Sequence, residues 1–126
     1  MAYNLWQTIN NIKNAQKAKK AFLINNKSNI AISLLNILWQ EGFILGYSIT
    51  SSNKLKIYLK YKDLNYGFYK IQTISKPSKR LFLSSIKLWK LNNKKGILVF
   101  STCKGLYTLE ECKKLRLGGE LLFFFN

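Results

Sequence analysis

Five consecutive residues near the C-terminal end combine chemical groups that bind nucleic acid. Ser101-Thr-Cys-Lys-Gly105 supplies two hydroxyls, a thiol, a cation and a glycine that lets backbone approach a ligand closely. These groups suit phosphates, ribose 2′-hydroxyls and the edges of unstacked bases, which are surfaces that RNA presents. Ser, Thr and Gly before a helix also form ordinary turns, and from spacing alone a turn is the stronger interpretation. An RNA site is predicted here only if other features agree.

Two residues close to this segment have two interpretations each. Glu120 follows a pair of glycines and accepts hydrogen bonds either from a base or 2′-hydroxyl, or from backbone amides of its own fold. Tyr107 follows Gly105 closely enough to stack on an exposed base, with core packing as the alternative. The residue types alone leave both choices open.

The residue inventory argues against an enzyme. The chain has no His and five widely spread carboxylates, so neither an acid–base pair nor a metal cluster is expected. Cys103 beside Lys104 is the one candidate nucleophile, since a neighbouring cation lowers a thiol pKa. Cys103 and Cys112 are otherwise expected to be reduced structural thiols. We therefore expect no catalysis, no cofactor and no small-molecule substrate.

The charge balance favours a polyanionic partner. Twenty-one Lys and Arg face five Asp and Glu, a formal net charge of +16 that repels itself unless a polyanion neutralises it. Hydrophobic residues make up 48% of the chain, which predicts a folded protein and not a basic tail. The lysines are scattered and do not form one amphipathic helix, which argues against a membrane surface. Nucleic acid is the predicted partner, and a nonspecific coating protein is the alternative to a specific binder.

The cations are nearly all lysine. Arg occurs as Arg80 and Arg116 alone, while Asn, Ile, Phe and Lys are abundant. Phosphate binding does not disfavour Arg, so the skew indicates mutational bias toward AT-rich codons, as in an organelle genome. The first residues show no secretory or transit pattern, so we expect the chain to be made where it works. The composition favours a mitochondrial protein, with a plastid or a bacterium of low GC content as alternatives.

The sequence pattern of residues 1–64 predicts one small domain, with its elements in the order α-β-α-β-β. Asn4 is the expected N-cap of the first helix, and Ser28 that of a second helix ending at Glu41-Gly42. Strands are expected at 21–24, 43–49 and 54–60, the last with Leu55, Ile57 and Leu59 facing the core.

The sequence pattern of residues 65–126 predicts a second domain, made mainly of antiparallel strands with one short helix. Strands are expected at 68–74, 81–84, 97–101 and 121–125. Thr108 and Glu111 have capping-box spacing, so a short helix is expected to begin there and run through Leu115, with Gly118-Gly119 as its stop signal. Turn-forming residues at 63–67 predict the linker. The fold class is therefore α+β with two small domains, divided between residues 64 and 65.

Several segments of the chain resemble the ribosomal protein S8 (uS8) family. Residues 101–108, followed by Gly-Gly-Glu at 118–120, resemble the family's Ser-Thr-Ser-Lys-Gly-Val-Met-Thr and Gly-Gly-Glu. Residues 74–77 with Arg80 are similar to its Ser-Lys-Pro-Gly-Leu-Arg stretch. Residues 40–44 and 12–16 are similar to its Glu-Glu-Gly-Phe-Ile and Ile-Arg-Asn-Gly-Gln. The matches run from about residue 5 to residue 125, nearly the full length.

The resemblance implies a non-catalytic protein whose C-terminal half binds the central domain of small-subunit ribosomal RNA and helps the subunit to assemble for translation. It also implies ribosomal proteins uS5 and uS12 as neighbours. Lys104, Lys76 and Arg80 are expected to neutralise phosphates, and Lys13 and Asn14 to meet a second RNA surface. The remaining RNA-binding residues that it implies are Ser101, Thr102, Cys103, Gly105, Gly118, Gly119 and Glu120.

The chain departs from the family pattern in three places. Cys103 stands where the family has Ser, which replaces a strong hydroxyl donor by a weak thiol. Ser78-Lys79 replace Gly-Leu, and Lys94-Lys95 replace the first part of a Gly-Leu-Gly turn. These departures predict an altered contact at Cys103 and altered loops at the other two sites.

Overall fold

The computed structural model describes residues 2–61, 70–74, 79–91 and 96–126 of the 126-residue chain. The chain forms two compact units, Met1–Tyr69 and Lys70–Asn126, which we name the first unit and the second unit. Helices combine with antiparallel sheets in the chain, so the predicted α+β class is confirmed. The linker predicted at 63–67, and with it the predicted boundary after residue 64, lies outside the described residues.

The first unit has the predicted order α-β-α-β-β. Ser28 caps the second helix as predicted, and its Oγ accepts the Ala31 N–H at 3.2 Å. The first helix begins earlier than predicted, so Asn4 lies inside it and the N-cap prediction is wrong. Ala2, a strong helix former, extends the helix toward the N-terminus. The elements are α1 (Ala2–Lys17), β1 (Phe22–Asn26), α2 (Asn29–Gln40), β2 (Ile44–Ile49) and β3 (Lys54–Leu59).

The three strands form one antiparallel sheet in the order β1-β3-β2. Alternation along β3 buries Leu55, Ile57 and Leu59 as predicted. Asn25 of β1 ties the sheet to α1, because its Nδ2 donates to Thr8 Oγ1 at 2.8 Å and its Oδ1 accepts from Asn11 Nδ2 at 3.0 Å. Both helices contact the sheet, and the face of β1 and β3 opposite the buried residues points outward.

The second unit contains two elements that the sequence did not predict. A four-residue helix follows β5, so the expectation of one helix is wrong, and residues 105–108 form a strand where a loop was expected. Both elements are too short for a periodic pattern to show in the sequence. The elements are β4 (Ile71–Thr73), β5 (Phe82–Leu83), α3 (Ser85–Leu88), β6 (Ile97–Thr102), β7 (Gly105–Thr108), α4 (Leu109–Leu115) and β8 (Gly119–Phe125).

Strand β8 is the centre of the second sheet. The order is β4-β8-β6-β7, and β5 also pairs with β8. Helices α3 and α4 pack on one face around a buried cluster of Leu88, Phe100, Leu109, Cys112 and Leu121. None of the helices in the described ranges is long and apolar enough to cross a bilayer.

The two cysteines occupy different environments. Both are free thiols. Cys112 belongs to the buried cluster, where burial, with a smaller contribution from Glu111, raises its pKa to about 11. Cys103 is exposed, so the prediction that both cysteines are structural is wrong for this one.

Helix α4 begins as predicted and runs through Leu115 as predicted. The Thr108 hydroxyl accepts the Glu111 N–H at 3.5 Å, and the Thr108 N–H donates to Glu111 Oε1 at 3.4 Å, which completes the capping box. Arg116 is the C-cap in the left-handed conformation at φ 55°, so this residue stops the helix and not the two glycines named from the sequence. The glycines are thereby left free for a packing role.

Replacing Thr108 by Ala should destabilise the protein without changing its charge. The variant loses the hydroxyl that satisfies an amide at the start of α4, and loss of an N-cap costs about 1 kcal/mol. Thermal unfolding followed by circular dichroism measures the change. The matched Thr108→Ser variant keeps the hydroxyl and should unfold close to wild type. Equal stability of the Ala variant and wild type would contradict the role of the cap.

Candidate nucleic-acid interface

The segment 101–105 is the end of a β-hairpin. Strands β6 and β7 pair from Val99↔Thr108 to Thr102↔Gly105, so Cys103 and Lys104 form the two-residue tip. Both tip residues are exposed. Strands β6 and β7 therefore hold the two tip residues from either side, and the tip has a fixed position relative to the sheet.

The hydroxyl of Thr102 holds this tip together. Its Oγ1 donates to the Gly105 carbonyl at 2.9 Å and accepts the Lys104 N–H at 3.2 Å. Gly105 has φ +129°, a conformation that side chains disfavour, and this explains the glycine at the closing position. The Thr102 hydroxyl is thus engaged within the hairpin, which leaves it less able to contact a ligand than its sequence position indicated.

A β-bulge decides which face Glu120 occupies. Strands β6 and β8 pair Val99↔Phe123 and then Phe100↔Leu121, so one residue of β8 is left over between the two pairs. The shift brings Glu120 opposite Ser101. Without it, Glu120 would stand opposite Thr102, on the sheet face that carries Phe100 and the two helices. The bulge therefore re-aims the carboxylate, a recognised effect of such irregularities.

Glu120 is a buried carboxylate with an unused acceptor. Its side chain is 9% exposed, and Oε2 has no hydrogen-bond partner among the described residues. A buried polar atom without a partner costs free energy, and such atoms are infrequent in folded proteins. Oε2 is closed off from solvent, so a donor from outside the chain, such as a base amino group or a 2′-hydroxyl, reaches it only when the side chains around it move.

Phe82 completes a row across three strands that the sequence did not reveal. It pairs with Glu120 from the other side of β8, so Ser101, Glu120 and Phe82 are neighbours on one face. The Phe82 ring is 64% exposed, beside the exposed cation Arg80. The signal available in the sequence was a Phe directly after Lys79-Arg80-Leu81. We name Ser101, Glu120 and Phe82 the cross-strand row.

The two glycines before Glu120 are packing residues. A Cβ on Gly119 would lie 2.4 Å from the Ser101 carbonyl oxygen. A Cβ on Gly118 would lie 2.8 Å from the Leu83 carbonyl oxygen. Both distances are shorter than real Cβ contacts, so β8 reaches its position beside β6 and β5 because these residues have no side chain. The glycines position the cross-strand row by allowing this close approach of the strands.

The other predicted site residues are distributed over the chain. Tyr107 stands opposite Phe100 and packs against the buried cluster, which favours the packing interpretation over base stacking. Lys76 lies outside the described residues. Lys13 and Asn14 belong to α1 of the first unit, where Lys13 is half-buried and Asn14 is exposed. The second unit thus brings together the hairpin tip, Glu120 and the two glycines.

The chain matches a known protein family over almost its full length. Residues 4–125 fit the model of the family described as Ribosomal protein S8. The small ribosomal subunit protein uS8 of Geotalea uraniireducens (strain Rf4) is 40% identical over 115 residues, which are 88% of this chain and 87% of that protein. The small ribosomal subunit protein uS8c of Chlorella vulgaris is 40% identical over 122 residues, with 88% of each chain covered.

A third relative matches over a slightly larger share of both chains. The small ribosomal subunit protein uS8 of Wigglesworthia glossinidia brevipalpis is 36% identical over 118 residues, which are 92% of this chain and 91% of that protein. The family model spans residues of both units and includes the hairpin, the two glycines and Glu120. The resemblance stated from the sequence is confirmed, and the chain belongs to the ribosomal protein S8 family.

Proposed function

We propose that this protein is a structural constituent of the small ribosomal subunit that binds the central domain of small-subunit ribosomal RNA and helps the subunit to assemble. Its family is ribosomal and structural, so it is not an enzyme. One observation carries the RNA-binding part of the proposal: in a chain of net charge +16, the buried Glu120 carboxylate, whose Oε2 has no partner among the described residues, stands beside an exposed hairpin tip.

Each group of the interface has a distinct role in this proposal. The Ser101 hydroxyl and Glu120 Oε2 read base edges or 2′-hydroxyls, which distinguish RNA from DNA. The backbone at Gly105 approaches the RNA closely. Lys104, Arg80 and Lys76 neutralise phosphates, and Thr102 keeps the tip in shape through its two hydrogen bonds. Cys103 contributes a weaker donor than the Ser of the family pattern.

The first unit supplies a second contact with the RNA. Asn14 presents an exposed amide, and Lys13 lies one residue before it on α1. Desolvation by burial, together with the nearby charge of Lys17, lowers the Lys13 pKa from its ordinary value. We propose that an RNA phosphate near the C-terminal end of α1 relieves the repulsion between Lys13 and Lys17.

We propose the mitochondrial ribosome as the location, with uS5 and uS12 as protein neighbours. The support is compositional, because Arg is almost absent among 21 cations. Fractionation of organelles followed by sucrose-gradient separation of ribosomal subunits tests the location. Recovery of the protein with a plastid or bacterial small subunit would refute it, and crosslinking within the purified subunit tests the two neighbours.

The direct test of RNA binding compares two polymers of equal length. The full chain should bind an internal-loop-bearing fragment of the small-subunit RNA central domain more tightly than duplex DNA at physiological salt. The cross-strand row offers base and 2′-hydroxyl contacts that duplex DNA does not satisfy. Equal affinity for the two polymers would identify the protein as a nonspecific nucleic-acid binder.

Replacing Lys104 by Ala should flatten the salt dependence of RNA binding. Each neutralised phosphate contributes about 0.7 to 0.9 to the slope of log affinity against log salt concentration, so the slope should fall by about that amount. Titrations by fluorescence anisotropy at several salt concentrations measure it. The control is Lys114→Ala, which removes an equally exposed lysine from α4. Identical slopes for the two variants would remove the hairpin tip from the interface.

A further inference from the structure

The first unit carries a second aromatic surface on the outer face of its sheet. In β1, Phe22 and Ile24 point away from the helices and are 43% and 55% exposed. In β3, Tyr58 lies on the same face and is 37% exposed. Phe22 and Tyr58 are direct cross-strand partners in the register of the two strands. Two rings therefore stand side by side on an open sheet face, which we name the outer face.

A lysine lies over both rings. Lys56 Nζ is 4.3 Å from the centroid of the Phe22 ring and 5.4 Å from that of the Tyr58 ring. Lys56 is itself the cross-strand partner of Ile24. Lys54 lies two residues before it, on the same face of β3. The outer face therefore places two neighbouring lysines beside two neighbouring rings, so that a phosphate and a base can be bound next to each other.

The outer face has room for a ligand beside Tyr58. Gly46 of β2 stands opposite Tyr58, and a Cβ built on it would meet no atom within 4 Å. Within the described residues, the position opposite Tyr58 in β2 therefore carries no side chain. On the other flank, a groove of about 660 Å³ runs between α1 and β1, lined in part by Phe22, Lys20 and Asn14. The outer face is thereby continuous with Asn14, the RNA contact proposed on α1.

The charge of the outer face indicates which polymer it fits. The five acidic residues of the chain lie at 41, 63, 110, 111 and 120, and none of them is in β1, β2 or β3. Lysines with no neighbouring carboxylate on the same face match a polyanion better than they match a typical protein surface. Exposed aromatic rings set among lysines are the arrangement by which proteins hold unpaired bases.

We propose that the outer face binds a single-stranded RNA segment, with bases stacked on Phe22 and Tyr58 and phosphates neutralised by Lys56, Lys54 and Lys20. The site is separate from the hairpin interface of the second unit, and the inference extends the proposed function, since the polymer is again RNA. Stacking tolerates any base, so the outer face is expected to bind without strong sequence preference.

The experiment uses the full chain with two probes. A fluorescent, unstructured ten-nucleotide RNA reports on the outer face, and the internal-loop RNA fragment reports on the hairpin. The Phe22→Ala/Tyr58→Ala variant should bind the ten-nucleotide RNA at least about 30-fold more weakly, because loss of each stacking ring weakens binding by a factor of about 5 to 150 and the variant loses two. The Lys104→Ala variant should bind the ten-nucleotide RNA with the same affinity as wild type. Failure of the hairpin proposal and failure of this one therefore give different patterns.

Two further variants separate stacking from folding. Trp39→Ala removes another exposed ring of the first unit, on α2, and should leave binding of the ten-nucleotide RNA unchanged. Phe22→Tyr/Tyr58→Phe keeps both rings and should retain wild-type affinity. Unchanged affinity of the double Ala variant, or an equal loss in Trp39→Ala, would overturn the proposal. So would a double Ala variant that regains full affinity when its fold is restored by lower temperature.

Discussion

The Glu120→Gln variant is expected to unfold at a higher temperature than wild type and to bind the RNA fragment more weakly. The buried Oε2 has no partner within the part of the chain that the structure describes, and a neutral amide of the same shape loses less hydration free energy on burial. The gain in stability should be about 1 kcal/mol. In the complex the carboxylate accepts a donor of the RNA, and a hydrogen bond to a charged group contributes about 1.5 to 3 kcal/mol. That range corresponds to roughly 10- to 150-fold in affinity.

The two changes have opposite signs, and this makes the prediction specific. Glu110→Gln is the matched control, because it removes the same charge from an exposed position at the start of α4. Long-range attraction to RNA should rise slightly in both variants, since each has one negative charge fewer. Only Glu120→Gln should lose affinity. Calorimetric unfolding and anisotropy titrations measure the pair, and equal affinities for the RNA would show that Glu120 makes no contact.

The sequence predicted the first unit well because its elements are long enough to show periodicity. Helix α1 repeats apolar residues with helical spacing, and β3 alternates with period two between Leu55 and Leu59. Where prediction failed, at Asn4, a local capping preference competed with the high helix propensity of Ala2. The error moved a boundary and did not change an element.

The candidate site was less predictable because its geometry depends on pairing between distant residues. The resemblance identified Ser101 and Glu120, but the shift between Val99 and Phe100 that sets them side by side has no local signal. The cross-strand partner Phe82 lies 38 residues before Glu120 in the chain, so sequence reading gave no reason to connect them. Burial likewise assigned Tyr107 to the cluster, a choice that the residue type had left open.

The outer face illustrates the same limit for a binding surface. Alternation placed Lys54 and Lys56 on the outside of β3, and this is what the structure shows. The rings became significant once the register paired Phe22 with Tyr58 and set Lys56 over both. Register between strands about 30 residues apart follows from the whole sheet, and not from either strand alone.

Gly119→Ala is expected to destabilise the second unit and to weaken RNA binding at the same time. The new Cβ would lie 2.4 Å from the Ser101 carbonyl oxygen and 3.1 Å from Thr102 Cγ2. The first of these atoms is backbone, so no side-chain movement relieves the overlap, and β8 must shift away from β6. Overpacking of this kind costs about 1 to 3 kcal/mol or more. The shift also separates Ser101 from Glu120, so RNA affinity should fall at least about tenfold, like the loss of one charged hydrogen bond.

The Gly105→Ala variant distinguishes a steric cause from a conformational one. A Cβ on Gly105 meets no atom within 4 Å, but the residue has φ +129°, so its cost is conformational and about 1 to 3 kcal/mol. Hydrogen exchange of the β6 and β8 amides should accelerate along the paired strands in Gly119→Ala and near the hairpin tip alone in Gly105→Ala. Stability and RNA affinity equal to wild type in Gly119→Ala would show that β8 can pack beside β6 with a side chain at this position. The close approach of the two strands would then not be what positions Glu120, and the glycine pair of the family pattern would need another physical explanation.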